Sequence, residues 1–303
     1  ETMNLDSFHK LIGQYGDYVY CKNKKRINNL KYTYEEAEDW LVVDKTCKLG
    51  WWIGEDYIVL DFDDMNQAKQ LMNVLKLKNI KTLVAKTTRG LHFYFKYNYT
   101  DVQRVNAHLA CGLRCDLKVT NKGYVLLPFN SEDRKFNNAR EIADLPVWLR
   151  PLNISNSNTQ FIPADSGSRN DSLFKQGSRL RRAHFEEKEI EEVLEISNLL
   201  CEEPLKQKEL DTLIKSVSKF ELPNIDQDTF IFRNEKGEPS GLNHLAISNY
   251  IAENFYYFIY NKTIYWYSEG YYTSDDGELE LQNVIKSLIP VPKLLKANAI
   301  SEI

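Results

Sequence analysis

The chain has 303 residues, 43% of them hydrophobic and 27% charged, and a formal net charge of −4. That length suggests two or three domains with sizeable cores, and the composition is that of an ordinary globular protein. The slight acidity predicts no general attraction to nucleic acid, so any such binding must come from local basic patches.

No run of about 18 apolar residues and no secretory leader is evident, so neither a membrane span nor export is expected. Five cysteines, an odd number in a large chain, suggest reduced thiols and a cytoplasmic setting.

The first elements are short. Leu5, Phe8, Leu11 and Ile12 have helical spacing, and Tyr18 to Cys21 reads as a strand. Lys22 to Lys31 reads as a basic, solvated loop. Tyr34 to Val43 is expected as a helix with Ala37, Trp40 and Leu41 inward. Leu49 to Gly54 looks like a strand ending in a turn. Its adjacent Trp51 and Trp52 point to opposite faces; one is core, and the other either packs too or lines a base-binding cleft.

Tyr57-Ile58-Val59-Leu60-Asp61-Phe62-Asp63-Asp64 is an apolar run that ends in three carboxylates. Rich in β-branched and aromatic residues, it reads as a central strand covered on both faces. Alternation puts Asp61 and Asp63 on one side, and Leu60, Phe62 and Asp64 on the other. Two carboxylates about 4 Å apart repel by about 4 kcal/mol at an effective dielectric of 20. Solvation, protonation of one member or a divalent cation between them relieves that repulsion.

Asn66 to Leu77 is amphipathic, with Ala68, Leu71, Met72 and Leu75 on one stripe, and reads as a helix. Thr82 to Ala85 is a strand, followed by the loop Lys86-Thr87-Thr88-Arg89-Gly90. In Leu91 to Lys96 the alternation sends Leu91, Phe93 and Phe95 one way and His92, Tyr94 and Lys96 the other, a half-buried strand with one chemically active face. In the preceding turn, Gly90 allows backbone approach to a ligand, and the hydroxyls, amides and Arg89 suit phosphate oxygens.

Asp101 to Cys111 is expected as a helix, with Val102, Val105, Leu109 and Ala110 inward. Leu113 to Thr120 alternates again, with Arg114, Asp116, Lys118 and Thr120 on the polar face. Asn121-Lys122-Gly123 signals a hairpin turn, Tyr124 to Leu127 returns as the partner strand, and Pro128 stops it. His108, Cys111 and Cys115 have a spacing that could hold zinc, but a fourth ligand is not evident and buried thiols are the alternative.

If the polar faces of these strands coincide, Asp61, Asp63 and Asp116 meet His92 and Lys118. Three carboxylates around a cleft suit Mg²⁺ or Mn²⁺, and nearby Arg and Lys suit a triphosphate. That combination fits in-line nucleotidyl transfer.

Asp61-Phe62-Asp63, the stretch Thr88-Arg89-Gly90-Leu91-His92-Phe93-Tyr94-Phe95, and Arg114-Cys115-Asp116-Leu117-Lys118 before Gly123-Tyr124-Val125 resemble the three motifs of the archaeo-eukaryotic primase superfamily. They are most similar to those of the bifunctional primase–polymerase domain of phage and plasmid replication proteins. The resemblance covers roughly residues 3–150. It implies an α+β fold with a mixed-sheet, RRM-like catalytic core. It also implies metal binding by Asp61, Asp63 and Asp116, and contact of His92 with the phosphates of the incoming nucleotide. Thr87, Thr88, Arg89, Gly90 and Lys118 would complete the nucleotide site. The family often has a second glycine or a serine where Thr88 and Arg89 stand, and arginine where Lys118 stands; lysine keeps the charge and loses the bidentate fork.

Pro146 to Pro151 looks like a chain exit, and Asn153 to Ser168 like an interdomain linker. Three helices are expected near 169–182, 186–201 and 208–220. Gly167-Ser168-Arg169-Asn170-Asp171-Ser172-Leu173-Phe174, with Leu180-Arg181-Arg182, resembles the small helical module found C-terminal to such primase domains. Arg169, Arg179, Arg181 and Arg182 either hold template phosphates or satisfy their own helix end. Beyond residue 223, a helix at 242–255, a tyrosine-rich hairpin at 256–267 and a helix at 278–288 resemble the lead-in to the ATPase segment of phage and plasmid primase–helicases. No Gly-x-x-x-x-Gly-Lys-Ser/Thr motif is present, so the motor itself is expected outside this chain.

The sequence therefore suggests a template-directed nucleotidyltransferase, a DNA primase with or without DNA polymerase activity. It would use single-stranded DNA and nucleoside triphosphates in the cytoplasm of a bacterial host. A metal-dependent nuclease and a non-catalytic DNA-binding or helicase-docking module are the alternatives.

Overall fold

A computed structural model describes residues 3–22, 25–46, 48–97, 104–119, 123–130, 134–152, 168–182, 185–218, 227–255, 257–268, 271–274, 277–289 and 291–295. The chain forms two compact units: Glu1–Leu152 with Glu195–Pro204, and Asn153–Leu194 with Leu205–Ile303. The class is α+β. The expected linker at 153–168 lies almost wholly outside the described residues.

The first unit begins with α1 (Leu5–Leu11), β1 (Asp17–Lys22), β2 (Lys25–Arg26) and α2 (Tyr34–Val43). A capping box starts α2: the Thr33 hydroxyl accepts the Glu36 amide, and the Glu36 carboxylate accepts the Thr33 amide. Ala37 is buried as expected, but Trp40 is exposed and lies against Tyr20. Part of the expected basic loop is a strand instead, because β2 pairs with β1. Two residues are too few to carry a periodic signal.

There follow β3 (Lys48–Trp52), β4 (Tyr57–Phe62), α3 (Met65–Leu77), β5 (Val84–Lys86), β6 (Leu91–Lys96), β7 (Arg104–Leu109), β8 (Arg114–Val119), β9 (Tyr124–Leu126), β10 (Lys135–Phe136) and β11 (Pro151–Leu152). They build a four-stranded sheet, β2-β1-β3-β9, and a seven-stranded sheet, β10-β5-β6-β4-β8-β7-β11. β4 is the central strand of the larger sheet, and Tyr57, Ile58, Val59 and Leu60 are all buried. The stripe of α3 is Ala68, Leu71, Val74 and Leu75; Met72 is exposed.

Four expectations are corrected here. The sheet expected to be mixed is antiparallel in every named pair. β4 and β5 do run the same way, but β6 lies between them and opposes both. The stretch expected as a helix from Asp101 holds a strand, β7, paired with β8 and β11. β9 does not return beside β8; it crosses to the other sheet and pairs with β3. The Asn121-Lys122 turn lies outside the described residues. The chain exit at Pro146 is no exit: Trp148 and Leu149 are buried, and β11 closes the edge of the sheet.

The main core of this unit joins the two sheets. Tyr18, Leu49, Trp51 and Val125 from one sheet and Val59, Ala85, Tyr94 and Phe136 from the other share one cluster with Phe8 and Ile12. The face of β6 expected to be open is therefore roofed by the smaller sheet at Tyr94, and only its His92 end borders a cleft.

In the second unit, α4 (Arg169–Arg182), the start of α5 (Glu187–Leu200) and α6 (Gln207–Ser218) are the three expected helices. The last turns of α5 group with the first unit. Gly177 marks a close approach in α4, since a Cβ there would lie 2.7 Å from Val217 and 3.1 Å from Leu194. Then come β12 (Ile231–Arg233), β13 (Pro239–Leu242), α7 (His244–Asn254), β14 (Tyr257–Tyr260), β15 (Thr263–Ser268), β16 (Tyr271–Thr273) and α8 (Gly277–Leu288). The β14–β15 turn has Asn261 and Lys262 at φ 49° and 62°, the left-handed pair that suits the twist of a two-residue hairpin.

Candidate active site

The site is built by register. In the larger sheet Asp61 of β4 lies directly opposite His92 of β6 on one side and Asp116 of β8 on the other. Residues opposite in an antiparallel sheet share a face, so the three side chains form one row across three strands. Asp63 follows two residues on, just past the end of β4. Lys118 shares the face of Asp116 by alternation.

These groups touch. His92 Nε2 is 3.1 Å from Asp61 Oδ1. The Lys118 ammonium lies 3.6 Å from Asp61 Oδ2 and 3.1 Å from Asp116 Oδ2. The other Asp116 oxygen, Oδ1, accepts the backbone amide of Asn106 at 2.8 Å. Asp63 is more exposed and pairs with Arg89, 3.3 Å away. Burial pushes the Asp61 carboxyl up, but the hydrogen bond and charge of His92 and the Lys118 ammonium outweigh it, so the carboxyl is held below its ordinary value. Burial and the nearby Asp61 charge keep the Tyr94 hydroxyl protonated.

The row opens into a cleft of about 450 Å³. Asp61, Asp63, His92, Lys118, Thr87, Thr88 and Arg89 line one side, and Arg26, Trp52, Tyr124 and Arg134 complete it. Asp116 is not among the lining residues; it reaches the cleft through Lys118. Thr87 is buried, and its hydroxyl accepts the Gly90 amide at 3.0 Å, which closes the turn on itself. A Cβ on Gly90 would sit 1.7 Å from the Phe62 carbonyl oxygen. The absence of a side chain at Gly90 therefore admits the backbone of β4. Thr88 and Arg89 remain exposed at the rim.

The donor chemistry fits a hard divalent cation. Two carboxylates on adjacent strands, opposite in register, already share one cation, the Lys118 ammonium. Among the described residues no three His, Cys, Asp or Glu side chains stand together with metal-ligand geometry. Asp61 and Asp116 are the pair a cation would join, with Asp63 beyond them.

Zinc at His108, Cys111 and Cys115 does not fit. His108 lies in β7, opposite Arg114, and Cys115 pairs with Ala107, so the helical spacing is absent. Burial pushes the Cys111 thiol up to about 12, and burial with Asp61 and Asp116 nearby raises Cys115 well above its ordinary value. Protonated thiols are poor ligands.

Sequence reasoning missed Arg26, Trp52 as a settled cleft residue, Tyr124, Arg134 and the two polar residues that brace the row. Gln67 is one brace: its Oε1 accepts the Arg114 amide at 2.7 Å while its Nε2 donates to Asp64 at 3.1 Å. Asn106 is the other. Pairing of β2 with β1, of β1 with β3 and of β3 with the distant β9 brings Arg26 and Tyr124 together, where the Tyr124 hydroxyl accepts the Arg26 amide at 3.2 Å. In the second unit Arg169, Arg179 and Arg181 are partly buried on α4, each with an interaction partner. Arg182 is in α4, but its side chain lies outside the described residues.

No helix among the described residues is long and apolar enough to cross a membrane. Comparison with curated proteins gives no significant match. Residues 158–222, about a fifth of the chain, match the family described as Primase C terminal 1 (PriCT-1), so the chain carries a primase-related domain, which follows in sequence the unit whose central strands bring Asp61, His92 and Asp116 into one row.

Proposed function

We propose that the chain is a template-directed nucleotidyltransferase, a DNA primase that joins nucleoside triphosphates on single-stranded DNA with Mg²⁺ or Mn²⁺. The observation that carries this reading is the row His92–Asp61–Asp116 at the side of a cleft rimmed by Arg26, Arg89, Lys118 and Arg134. The PriCT-1 match supports it independently.

In this reading Asp61 and Asp116, with Asp63 beyond them, would hold a divalent ion, which when bound would supply Lewis-acid activation of a 3′-hydroxyl and charge neutralisation for the triphosphate. His92 keeps Asp61 ionised and oriented through its 3.1 Å contact and stands at the cleft wall, where phosphate oxygens would pass. Lys118 moves from the carboxylates to the triphosphate, and Arg89 releases Asp63 to do the same. Arg169, Arg179, Arg181 and Arg182 of α4 are assigned to template phosphates.

Incubation with single-stranded template, Mg²⁺ or Mn²⁺ and labelled ribo- or deoxyribonucleotides tests the proposal. New product is expected from the wild type, with a loss of at least a thousandfold in Asp61→Ala. Shortening of the template would instead indicate a nuclease, and binding without turnover a non-catalytic module; either result rejects the reading.

A further inference from the structure

The Asp116 carboxylate is aimed by an irregularity in the neighbouring strand. Between the pairs Arg104↔Leu117 and Ala107↔Cys115, β7 has two residues, Val105 and Asn106, where β8 has one, Asp116. The extra residue is a β-bulge, a feature that bends its strand and re-aims what lies beside it. Asn106 has φ 53°, the left-handed region that asparagine and glycine tolerate and β-branched residues do not. The turned backbone points the Asn106 amide at a side chain, and it donates to Asp116 Oδ1 at 2.8 Å. In an uninterrupted antiparallel ladder the residue opposite Asp116 would direct its amide to the backbone of β8 or to the outer side of the strand.

We propose that Asn106 is a positioning residue for cation binding. Its amide occupies Asp116 Oδ1 and so fixes the carboxylate with Oδ2 turned toward Asp61, where the Lys118 ammonium now lies. The backbone conformation of Asn106 carries the effect, not its exposed side chain. This inference rests on the reading of Asp116 as a metal-binding carboxylate.

The full chain is titrated with Mn²⁺, free metal being followed by electron paramagnetic resonance. Half-activation by Mn²⁺ and the KM for nucleotide are measured beside it. Asn106→Gly, which keeps both the amide and the left-handed conformation, should bind Mn²⁺ within twofold of wild type. Asn106→Val, which disfavours that conformation, should bind about tenfold more weakly, with the KM for nucleotide at saturating Mn²⁺ unchanged. A folded Asn106→Val, judged by circular dichroism, that binds Mn²⁺ like wild type overturns the proposal. Should Asn106→Val not fold, Asn106→Ala decides by the same titration: threefold weaker binding supports the proposal and unchanged binding overturns it. Asp116→Ala separates the two levels. Wild-type Mn²⁺ binding in Asp116→Ala rejects the carboxylate's role itself, whereas lost binding there beside normal binding in Asn106→Val rejects only the positioning.

Discussion

At the scale of single residues the site is governed by Lys118. Its ammonium and the Asp61 carboxylate are each only 18% exposed. Removing one member of such a pair costs between the ~1 kcal/mol of an exposed ion pair and the ~3–5 kcal/mol of a fully buried one. Lys118→Met should lower stability by an amount in that range in urea unfolding, and added Mn²⁺ should recover part of it by replacing the lost cation. The pH dependence has a definite sign. A carboxyl held below its ordinary value of 3.8 binds fewer protons folded than unfolded. Its contribution is complete above that value and is lost as the pH falls through the lowered one. Lys118→Met removes one lowering cause, so unfolding free energy should fall less steeply for the variant as the pH drops below 3.8. Gly90 gives a separate prediction. Because the obstacle to a Cβ is the Phe62 carbonyl and not a movable side chain, Gly90→Ala should cost more than about 2 kcal/mol by thermal unfolding.

At the scale of elements, legibility followed the range of the forces involved. The row Asp61, His92 and Asp116 was readable because each member sits in a strand whose alternation is local, and a shared face needs only correct registers. β7 was not readable, for the reason that makes it interesting. The extra residue at Asn106 breaks the two-residue period, leaving Val105 and Leu109 at a helical spacing of four. β9 was recognised as a strand but given the wrong neighbour, because period and turn chemistry do not say which distant edge, here β3, is open. The face of β6 read as chemically active is covered at Tyr94 by a sheet whose approach no local pattern encodes. Helix packing adds its own test. In α4, Gly177 lets Val217 and Leu194 come close. A valine there gains helix propensity over glycine by less than 1 kcal/mol but overpacks by about 1–3 kcal/mol. Gly177→Val should therefore lower the melting temperature, with the loss followed by helical circular dichroism.

At the scale of the whole molecule, the first unit joins two antiparallel sheets through one core, and the cleft lies where that core gives way to charged residues. Its two sides belong to different sheets, but the chain passes between them three times, from β3 into β4, from β8 to β9 and from β9 to β10. Apolar packing of Trp51, Tyr94 and Phe136 holds the sides together with no cation involved. Exhaustive chelation is thus predicted to abolish nucleotide incorporation while leaving the thermal unfolding midpoint unchanged within about 2 °C, a shift of less than ~1 kcal/mol.

The lysine that bridges Asp61 and Asp116 has a kinetic corollary. A protein stored without metal already has a resident counter-ion, so its carboxylates neither fly apart nor wait for a segment to fold. In the proposed function, activation by metal would need only a single flexible side chain to swing aside, a motion completed in nanoseconds to microseconds. Rapid mixing of chelated protein with Mn²⁺, nucleotide and template should give turnover with no lag on the millisecond scale; a slow onset would mean that the empty site is built differently from the filled one.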